Sequence, residues 1–436
     1  MTGAHTRLVW VQGDGTDPFA AGDGLVLMGF DTDDGRGERV ILGERQSYVK
    51  PLLTARGERI VFSTRPTAPG GPQVFVVNWD GSGKRRLGPG FALTVWQDPS
   101  KGRDWVYVGT DNAPGKEYDF RTVTRWPIDA PSAREVVWNK TPVSGDTFQV
   151  SRDGRLAGGL FPWPQAGVAE LPNGRLRTFG EGCWTALRDA GTPLLWYFDG
   201  AHRNLLMVDP GSDQRWTVRI NDAPGFSGAE VYHPRWTNHP RFLALSGPYN
   251  QGGANQVRSG GRQSEIHLGR FSADYTRVEA WAKVTNNGGG DSYPDVWIDR
   301  DSSPVAVPRV TPSAPTAAAG VSPAAAATRL VVRARLASAT PIPSPKSILP
   351  YRAALVVNAY DVVEVVEGRY DQPRLLVAQW AIREGKVLAS AARDPGVVAR
   401  LTLERYDAHP ELEGERLIAE RDDPQMTLFY DVGAQR

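Results

Sequence analysis

The chain has 436 residues, of which 40% are apolar and 14 are tryptophan, so it is long enough for two domains with substantial cores. Its formal net charge of +1 provides no global field for nucleic acid or an anionic membrane, and its single cysteine, Cys183, excludes internal disulfides. No run of about 18 apolar residues occurs, so a membrane-spanning helix is not expected.

The first predicted element is a strand over TRLVWVQ, which begins at Thr6. It matches the later segments RIVFSTR and WVYVGT, which are the second strands of a repeated unit. In that unit a strand, a tight turn and a second strand usually lead into a further hairpin. β-rich self-similarity at a period of roughly 35 to 60 residues predicts a propeller or a β-solenoid. Complete units begin at Tyr48, Phe91, Thr147, Cys183 and Tyr232.

The last unit is divided between distant parts of the sequence. SYPDVWID, from Ser292, supplies a first strand, but a Pro/Ala-rich stretch follows where its partner should be. The strand from Thr6 can supply that partner. Closing a ring in this way removes unpaired strand edges. We therefore predict an all-β fold with a six-bladed β-propeller closed by an N-terminal strand.

The turns of these units carry variants of the phrase S-P-D-G, here TARG, SRDG, RDAG and TNHP. On these turns the chain resembles the TolB-type, WD40-like β-propeller family over about residues 6 to 299. The resemblance implies a six-bladed propeller of the extracytoplasmic kind that serves mostly as a binding platform. The first ten residues contain no signal-peptide pattern. The protein is therefore expected to be either cytosolic, or periplasmic or extracellular if a signal peptide has been removed.

The sequence after the propeller predicts a linker and a second domain. We expect the propeller at 1–299, a Pro/Ala-rich linker at 300–327 and a small all-β domain at 328–436. Five segments rich in β-branched and aromatic residues predict a small barrel, with an OB-like barrel favoured. An immunoglobulin-like sandwich is the alternative, although it usually needs seven strands. The five segments begin at Arg329, Arg352, Arg374, Val397 and Met426.

Loop length suggests which face of the propeller carries function. The turns between first and second strands are tight, whereas the long loops fall on the opposite face, which we call the loop-rich face. We call the face with the tight turns the turn face. The long loops begin at Arg65, Thr110, Asn221, Pro248 and Thr285.

Charged and aromatic side chains are expected where the innermost strands begin, near the mouth of the axial channel. Such groups can bind a carboxylate or a sugar through charge-assisted hydrogen bonds and an aromatic platform. The alternative is that they form a water-filled polar plug of the axial channel. The candidate ligand-binding residues are Lys50, Asp146, Gln149, Trp184, His233, Arg235, Tyr249, Arg258, Asp291, Tyr293 and Asp295.

No catalytic set, metal site or cofactor site is predicted. The fold also resembles oligogalacturonate lyases, which hold a metal with histidines near the axis. Here His233 and His239 stand at opposite ends of an extended strand, roughly 20 Å apart, so they cannot share an ion. A propeller coupled to a serine hydrolase would need a G-x-S-x-G turn, and GFSGA from Gly225 lacks that spacing.

Three functions remain open. The favoured one is a non-catalytic binding or scaffold propeller that recognises a protein or peptide on the loop-rich face. The alternative is a carbohydrate-binding propeller, perhaps a polysaccharide lyase or hydrolase. In that case Trp163, Trp184, Tyr249 and Tyr293 would stack on sugar rings. The third is a sensor or adaptor whose second domain performs the recognition. The expected partner is thus a protein or glycan, with no nucleic acid and no membrane span.

Overall fold

The computed structural model describes most of the chain as two compact units, a propeller and a small barrel. The described residues are 1–17, 20–145, 147–188, 192–198, 202–226, 230–249, 261–299, 329–348, 351, 353–409, 412, 415–418 and 426–435. The predicted linker at 300–327 lies outside these residues. No helix within the described ranges is long and apolar enough to cross a membrane.

Six antiparallel sheets form the propeller, and each blade is ordered from its innermost to its outermost strand. The closing blade contains β25 (Gly290–Ile298), β1 (Thr6–Gly13), β2 (Leu25–Asp31) and β3 (Arg39–Gln46). Blade two contains β4 (Val49–Leu53), β5 (Arg59–Ser63), β6 (Gln73–Asn78) and β7 (Arg85–Pro89). Blade three contains β8 (Phe91–Asp98), β9 (Arg103–Ala113), β10 (Lys116–Pro127) and β11 (Glu135–Trp138), with β12 (Val143–Ser144) also paired to β10.

The remaining three blades follow in the same order. Blade four contains β13 (Phe148–Val150), β14 (Leu156–Leu160), β15 (Gln165–Glu170) and β16 (Leu176–Glu181). Blade five contains β17 (Cys183–Leu187), β18 (Leu195–Phe198), β19 (Asn204–Asp209) and β20 (Gln214–Arg219). Blade six contains β21 (Glu230–Trp236), β22 (Phe242–Tyr249), β23 (Glu265–Phe271) and β24 (Val278–Lys283), with a 3-10 turn at Gly261–Gln263.

The closing blade confirms the predicted ring closure. Strand β1 lies between β25 and β2 and pairs antiparallel with both, with Thr6 opposite Ile298 and Gly13 opposite Gly290. The side chains of Leu8, Val9, Trp10 and Val11 are at most 2% exposed, so this strand fills the blade as well as completing its hydrogen bonds.

The innermost strands share a backbone irregularity near the end that faces the loop-rich side. In β4, β17, β21 and β25 the register to the next strand shifts at this position. At each shift a residue has positive φ, namely Lys50 at 54°, Trp184 at 44°, His233 at 48° and Tyr293 at 54°. Positive φ is uncommon for residues with a Cβ and is retained only when the surroundings enforce it. These four residues therefore occupy the same place in their blades and share the same backbone conformation.

The glycine of the turn motif has a packing role at the junction between blades. Gly57 in TARG has φ of 66°, and a Cβ there would lie 2.8 Å from the ring of Trp297 in the preceding blade. The indole Nε1 of Trp297 donates to the Ala55 carbonyl, 2.8 Å away. Blade four repeats the arrangement, because a Cβ on Gly154 would lie 2.7 Å from Trp96, whose Nε1 donates to Arg152 O.

We expect Gly57→Ala to destabilise the propeller more than Gly102→Ala. Both glycines lie in turns on the turn face at similar positive φ, but a Cβ on Gly102 would meet nothing within 4 Å. Gly102→Ala therefore carries only the backbone strain of about 1–2 kcal/mol, while Gly57→Ala must also displace Trp297. Urea unfolding of both variants provides the measurement. Equal midpoints would show that the contact with Trp297 contributes nothing.

The second unit is a closed barrel of five strands. The five are β26 (Leu330–Ser338), β27 (Ala354–Glu367), β28 (Arg374–Arg383), β30 (Val398–Arg405) and β32 (Leu428–Asp431). Their ring order is β26–β27–β28–β32–β30–β26, with only the β28–β32 pair parallel among these five. The barrel is confirmed over the sandwich, and a closed five-stranded ring is what an OB-like module would show.

Two short strands pair with strands of this barrel. Its interior is mostly apolar but contains a polar network around Gln379. Strands β29 (Lys386–Val387) and β31 (Arg416–Ile418) pair with β28 and β27. Gln379 is 1% exposed, accepts hydrogen bonds from Asn358 and Tyr360, and donates to Asp431 at 2.7 Å. Among the described residues of this unit, 3-10 turns also lie at Pro345–Ile348, Ala389–Ala391, Tyr406–Ala408 and Val432–Gln435.

Candidate functional site

Three of the predicted site residues form a tight aromatic layer at the loop-rich end of the innermost strands. The rings of His233 and Tyr293 are 3.8 Å apart, and Trp184 meets His233 edge-on at 5.1 Å. His233 is 2% exposed, and neither ring nitrogen has a hydrogen-bond partner within the described part of the chain. Burial disfavours the imidazolium and holds the pKa of His233 well below its usual value. The imidazole is therefore neutral at physiological pH.

Lys50 extends this layer with a buried charge. Its Nζ donates to the Gly145 carbonyl at 2.7 Å, which joins blade two to the segment that leads into β13. Lys50, Trp184, His233 and Tyr293 are each at most 8% exposed. These side chains contact protein rather than solvent. Their expected role in ligand binding stays a prediction.

Tyr249 and Asp291 lie next to this layer and are also buried. The Tyr249 ring is 5.1 Å from Tyr232, its hydroxyl is 3.2 Å from Ser292 Oγ, and burial raises its pKa. Asp291 accepts hydrogen bonds from Gln12 and Asn287, while burial raises its pKa to about 6. Asp146 and Arg258, the other two predicted residues on this face, lie outside the described residues.

The burial of Trp184, Tyr249 and Tyr293 bears on the carbohydrate alternative. A stacking platform for a sugar needs an accessible ring face, and these three rings are at most 8% exposed. Trp163, the fourth proposed platform, is half-buried. That alternative therefore gains no support from these residues.

Gln149, Arg235 and Asp295 form a second layer, further along the same strands. Arg235 Nε lies 2.8 Å from Asp295 Oδ1, and its Nη2 donates to Thr94. The other oxygen of Asp295 accepts from the Leu53 amide at 2.7 Å. Gln149 donates to the Trp236 carbonyl, whereas its own amide oxygen is buried and has no partner among the described residues. The structure thus brings Arg235 and Asp295 into a direct ion pair.

A cavity of about 440 Å³ lies between this second layer and the turn face. Arg235, Asp295 and Gln149 line its inner end, while residues of the tight turns line its mouth. Sequence reasoning missed four of the mouth residues, namely Arg56, Trp96, Arg152 and Trp297. The signal that could have found them is the arginine that recurs in TARG and SRDG.

The charges at this mouth are open to solvent. Arg56 and Arg152 are exposed, and neither guanidinium forms an ion pair or hydrogen bond with a described residue. Trp96 and Trp297 are half-buried beside them. The Arg235–Asp295 pair is internally neutral, so the two free arginines give the mouth a positive character, with Asp299 as the acidic group beside them.

Other reactive groups are dispersed. In the residues that the structure describes, one group has the spacing of metal ligands, namely His5, Asp31 and Asp33. There His5 Nε2 pairs with Asp31 at 2.7 Å, and Arg7 occupies the other oxygen of Asp31 at 2.8 Å. His267 lies apart from this group and packs on Phe226, and burial lowers its pKa to about 4.

The comparisons with known proteins concern the propeller. No family model and no curated protein match this chain. TolB from Acinetobacter baumannii is 12% identical, with 67% of this chain and 66% of that chain covered and a TM-score of 0.45. A nidogen/laminin complex chain shows 8% identity, coverage of 67% and 98%, and a TM-score of 0.44. Kuenenia stuttgartiensis hydrazine synthase shows 12% identity, coverage of 67% and 47%, and a TM-score of 0.45.

TolB is thus among the proteins to which this chain is similar, as the turn motifs predicted. The matched part spans 66% of that TolB chain and about half of the hydrazine synthase chain. The six-bladed fold itself rests on the strand pairing described above.

Proposed function

We propose that this chain is a non-catalytic binding protein whose propeller holds an acidic segment of a partner protein at the turn face. The cavity of about 440 Å³ is the observation that carries this proposal. Its volume lies within the range of roughly 300–1,000 Å³ that is typical of ligand sites. Its walls are the ends of inner strands, so the site is built on a rigid scaffold.

The chemistry of the mouth favours a carboxylate. Arg56 and Arg152 project from two different blades and have no partner among the described residues. Guanidinium groups bind carboxylates through paired, charge-assisted hydrogen bonds. Trp96 and Trp297 add half-buried aromatic surface to the same rim, which is the composition that dominates protein interfaces.

The polar groups at the inner end of the cavity suit recognition. Arg235 is held by Asp295 and Thr94, and the Gln149 amide nitrogen is held by Trp236 O. These side chains are already oriented by protein partners, so a ligand meets a preorganised surface.

This proposal moves the site away from the face that loop length favoured. The loop-rich face stays a predicted second surface, and its inner-strand residues are buried behind it. An extracytoplasmic location, which the TolB-type resemblance implies, belongs to the same proposal.

We expect acidic peptides to bind the intact chain, and binding to require the mouth arginines. The probes are fluorescent hexapeptides in matched acidic, neutral and basic series, measured by anisotropy at fixed ionic strength. Exposed charge pairs contribute up to about 1 kcal/mol each, so Arg56→Ala with Arg152→Ala should weaken acidic peptides by about tenfold.

Lys116→Ala, at the tip of the β9–β10 hairpin on the loop-rich face, is the control. It is exposed and removes the same charge. If Lys116→Ala weakens binding as much as the double variant, the turn-face site is wrong. The same conclusion follows if the acidic and basic series bind equally.

A further inference from the structure

A small cleft on the loop-rich face brings together two arginines that the proposed function does not use. Its volume is about 150 Å³, and its lining includes Arg45, Arg262, Asp14, Gly13, Gly288 and Gly289. Arg45 is the next-to-last residue of β3 in the closing blade, whereas Arg262 lies in the 3-10 turn before β23. Five separate chain segments therefore converge on one pocket.

The backbone around this cleft is packed closely enough to fix its shape. A Cβ on Gly15 would lie 2.2 Å from the Gly261 carbonyl carbon and 2.6 Å from the Arg262 nitrogen. A Cβ on Gly289 would lie 2.6 Å from the Gln12 side chain. Glycine at these positions allows backbone to approach backbone, and this contact holds Arg262 against the end of the closing blade.

The cleft is lined by two arginines and one carboxylate, so positive charge is in excess. Arg45 donates one hydrogen bond to the Gly24 carbonyl, which orients its guanidinium. Arg262 donates no hydrogen bond to a described residue. Asp14 is the carboxylate that lines the cleft, and its Oδ1 already accepts from the Thr16 amide and hydroxyl at 2.9 and 2.7 Å. These bonds, more than Arg262, lower the pKa of Asp14.

We propose that this cleft binds a small tetrahedral oxyanion, either phosphate or sulfate. Two guanidinium groups from different elements can each present a pair of N–H donors to such an anion. A cleft of this volume admits the anion. The site lies on the face opposite the turn-face cavity, so it does not depend on the proposed function.

The test is isothermal titration of the full chain with inorganic phosphate and with sulfate, against chloride at matched ionic strength. We expect saturable binding of phosphate or sulfate that chloride does not reproduce. Arg45→Ala and Arg262→Ala should each weaken it by about fivefold, because each removes one exposed charged pair of N–H donors. Thermal melting of each variant checks that the fold is retained.

Arg36→Ala is the matched control, since Arg36 is an exposed arginine on the turn face of the same blade. It should bind phosphate as the original chain does. A parallel titration with phenyl phosphate distinguishes a free anion from a phosphoryl group carried on a larger molecule, which would bind at least as tightly. The inference is overturned if phosphate and sulfate behave like chloride. It is equally overturned if Arg36→Ala weakens binding as much as Arg45→Ala and Arg262→Ala do.

Discussion

Removal of residues 1–12 is expected to unfold the whole propeller, not only its N-terminal edge. The deletion removes four buried apolar side chains of β1, namely Leu8, Val9, Trp10 and Val11. Each contributes about 1.5–3 kcal/mol by burial, and their sum is comparable to the 5–15 kcal/mol that stabilises a typical domain. Both β25 and β2 would also lose their hydrogen-bonded neighbour.

Circular dichroism and urea unfolding of the truncated chain provide the measurement. The expected result is loss of the cooperative transition of the propeller. Deletion of residues 1–3 is the control, because it leaves every β1–β25 pair in register and should change the midpoint little. A truncated chain that melts within a degree or two of the intact one would show that β1 is dispensable for ring closure.

Trp236→Ala is expected to lower the free energy of unfolding by about 3–5 kcal/mol through the cavity that it leaves. Trp236 is 2% exposed and packs against Phe271 at 4.9 Å between ring centroids. Its indole Nε1 has no hydrogen-bond partner among the described residues. The stability that it provides is therefore apolar, and Trp236→Phe should restore most of it.

Denaturant unfolding of the two variants separates volume from hydrogen bonding. Comparable losses in Trp236→Phe and Trp236→Ala would mean that the indole N–H, rather than packing, is what matters. Arg235→Ala at the neighbouring position makes a useful contrast, because it leaves Asp295 buried without its cation. We expect this substitution to lower the free energy of unfolding by about 1–3 kcal/mol. The stability of each variant should therefore be measured before its binding is compared.

The architecture could be predicted because each repeat shows, within a short stretch of sequence, which strands pair and which residues are buried. The strand from Ser292 lacked a neighbouring partner in the sequence. The strand from Thr6 resembles the second strands of the other units and pairs with it. Turn glycines such as Gly57 serve two local needs, positive φ and contact with the neighbouring tryptophan. In the barrel, β-branched runs marked all five strands, but no local pattern indicates that β28 pairs with β32 in parallel.

The site could be predicted only in part. The repeats indicated that Lys50, Trp184, His233 and Tyr293 lie near the starts of the innermost strands. They did not indicate the ion pair between Arg235 and Asp295. Exposure did not follow, because it depends on side chains from several blades that meet at the axis. His233 looked like a ligand-binding histidine, yet four aromatic neighbours enclose it. Loop length also drew attention to one face, while short turns with Arg56 and Arg152 surround the open cavity.

The closing blade also has a mechanical consequence. Thr6 and Ile298 are paired at the same end of two antiparallel strands, and the Asp299 amide bonds to His5 O beside them. Hydrogen bonds between antiparallel strands run perpendicular to the strands. A tension that pulls these two ends apart would load the bonds one after another, starting from Thr6. The bonds between β1 and β25 would then break in sequence, so a small force would open the ring. If the two strands were pulled along their length in opposite directions, these bonds would have to break at the same time, which requires a larger force.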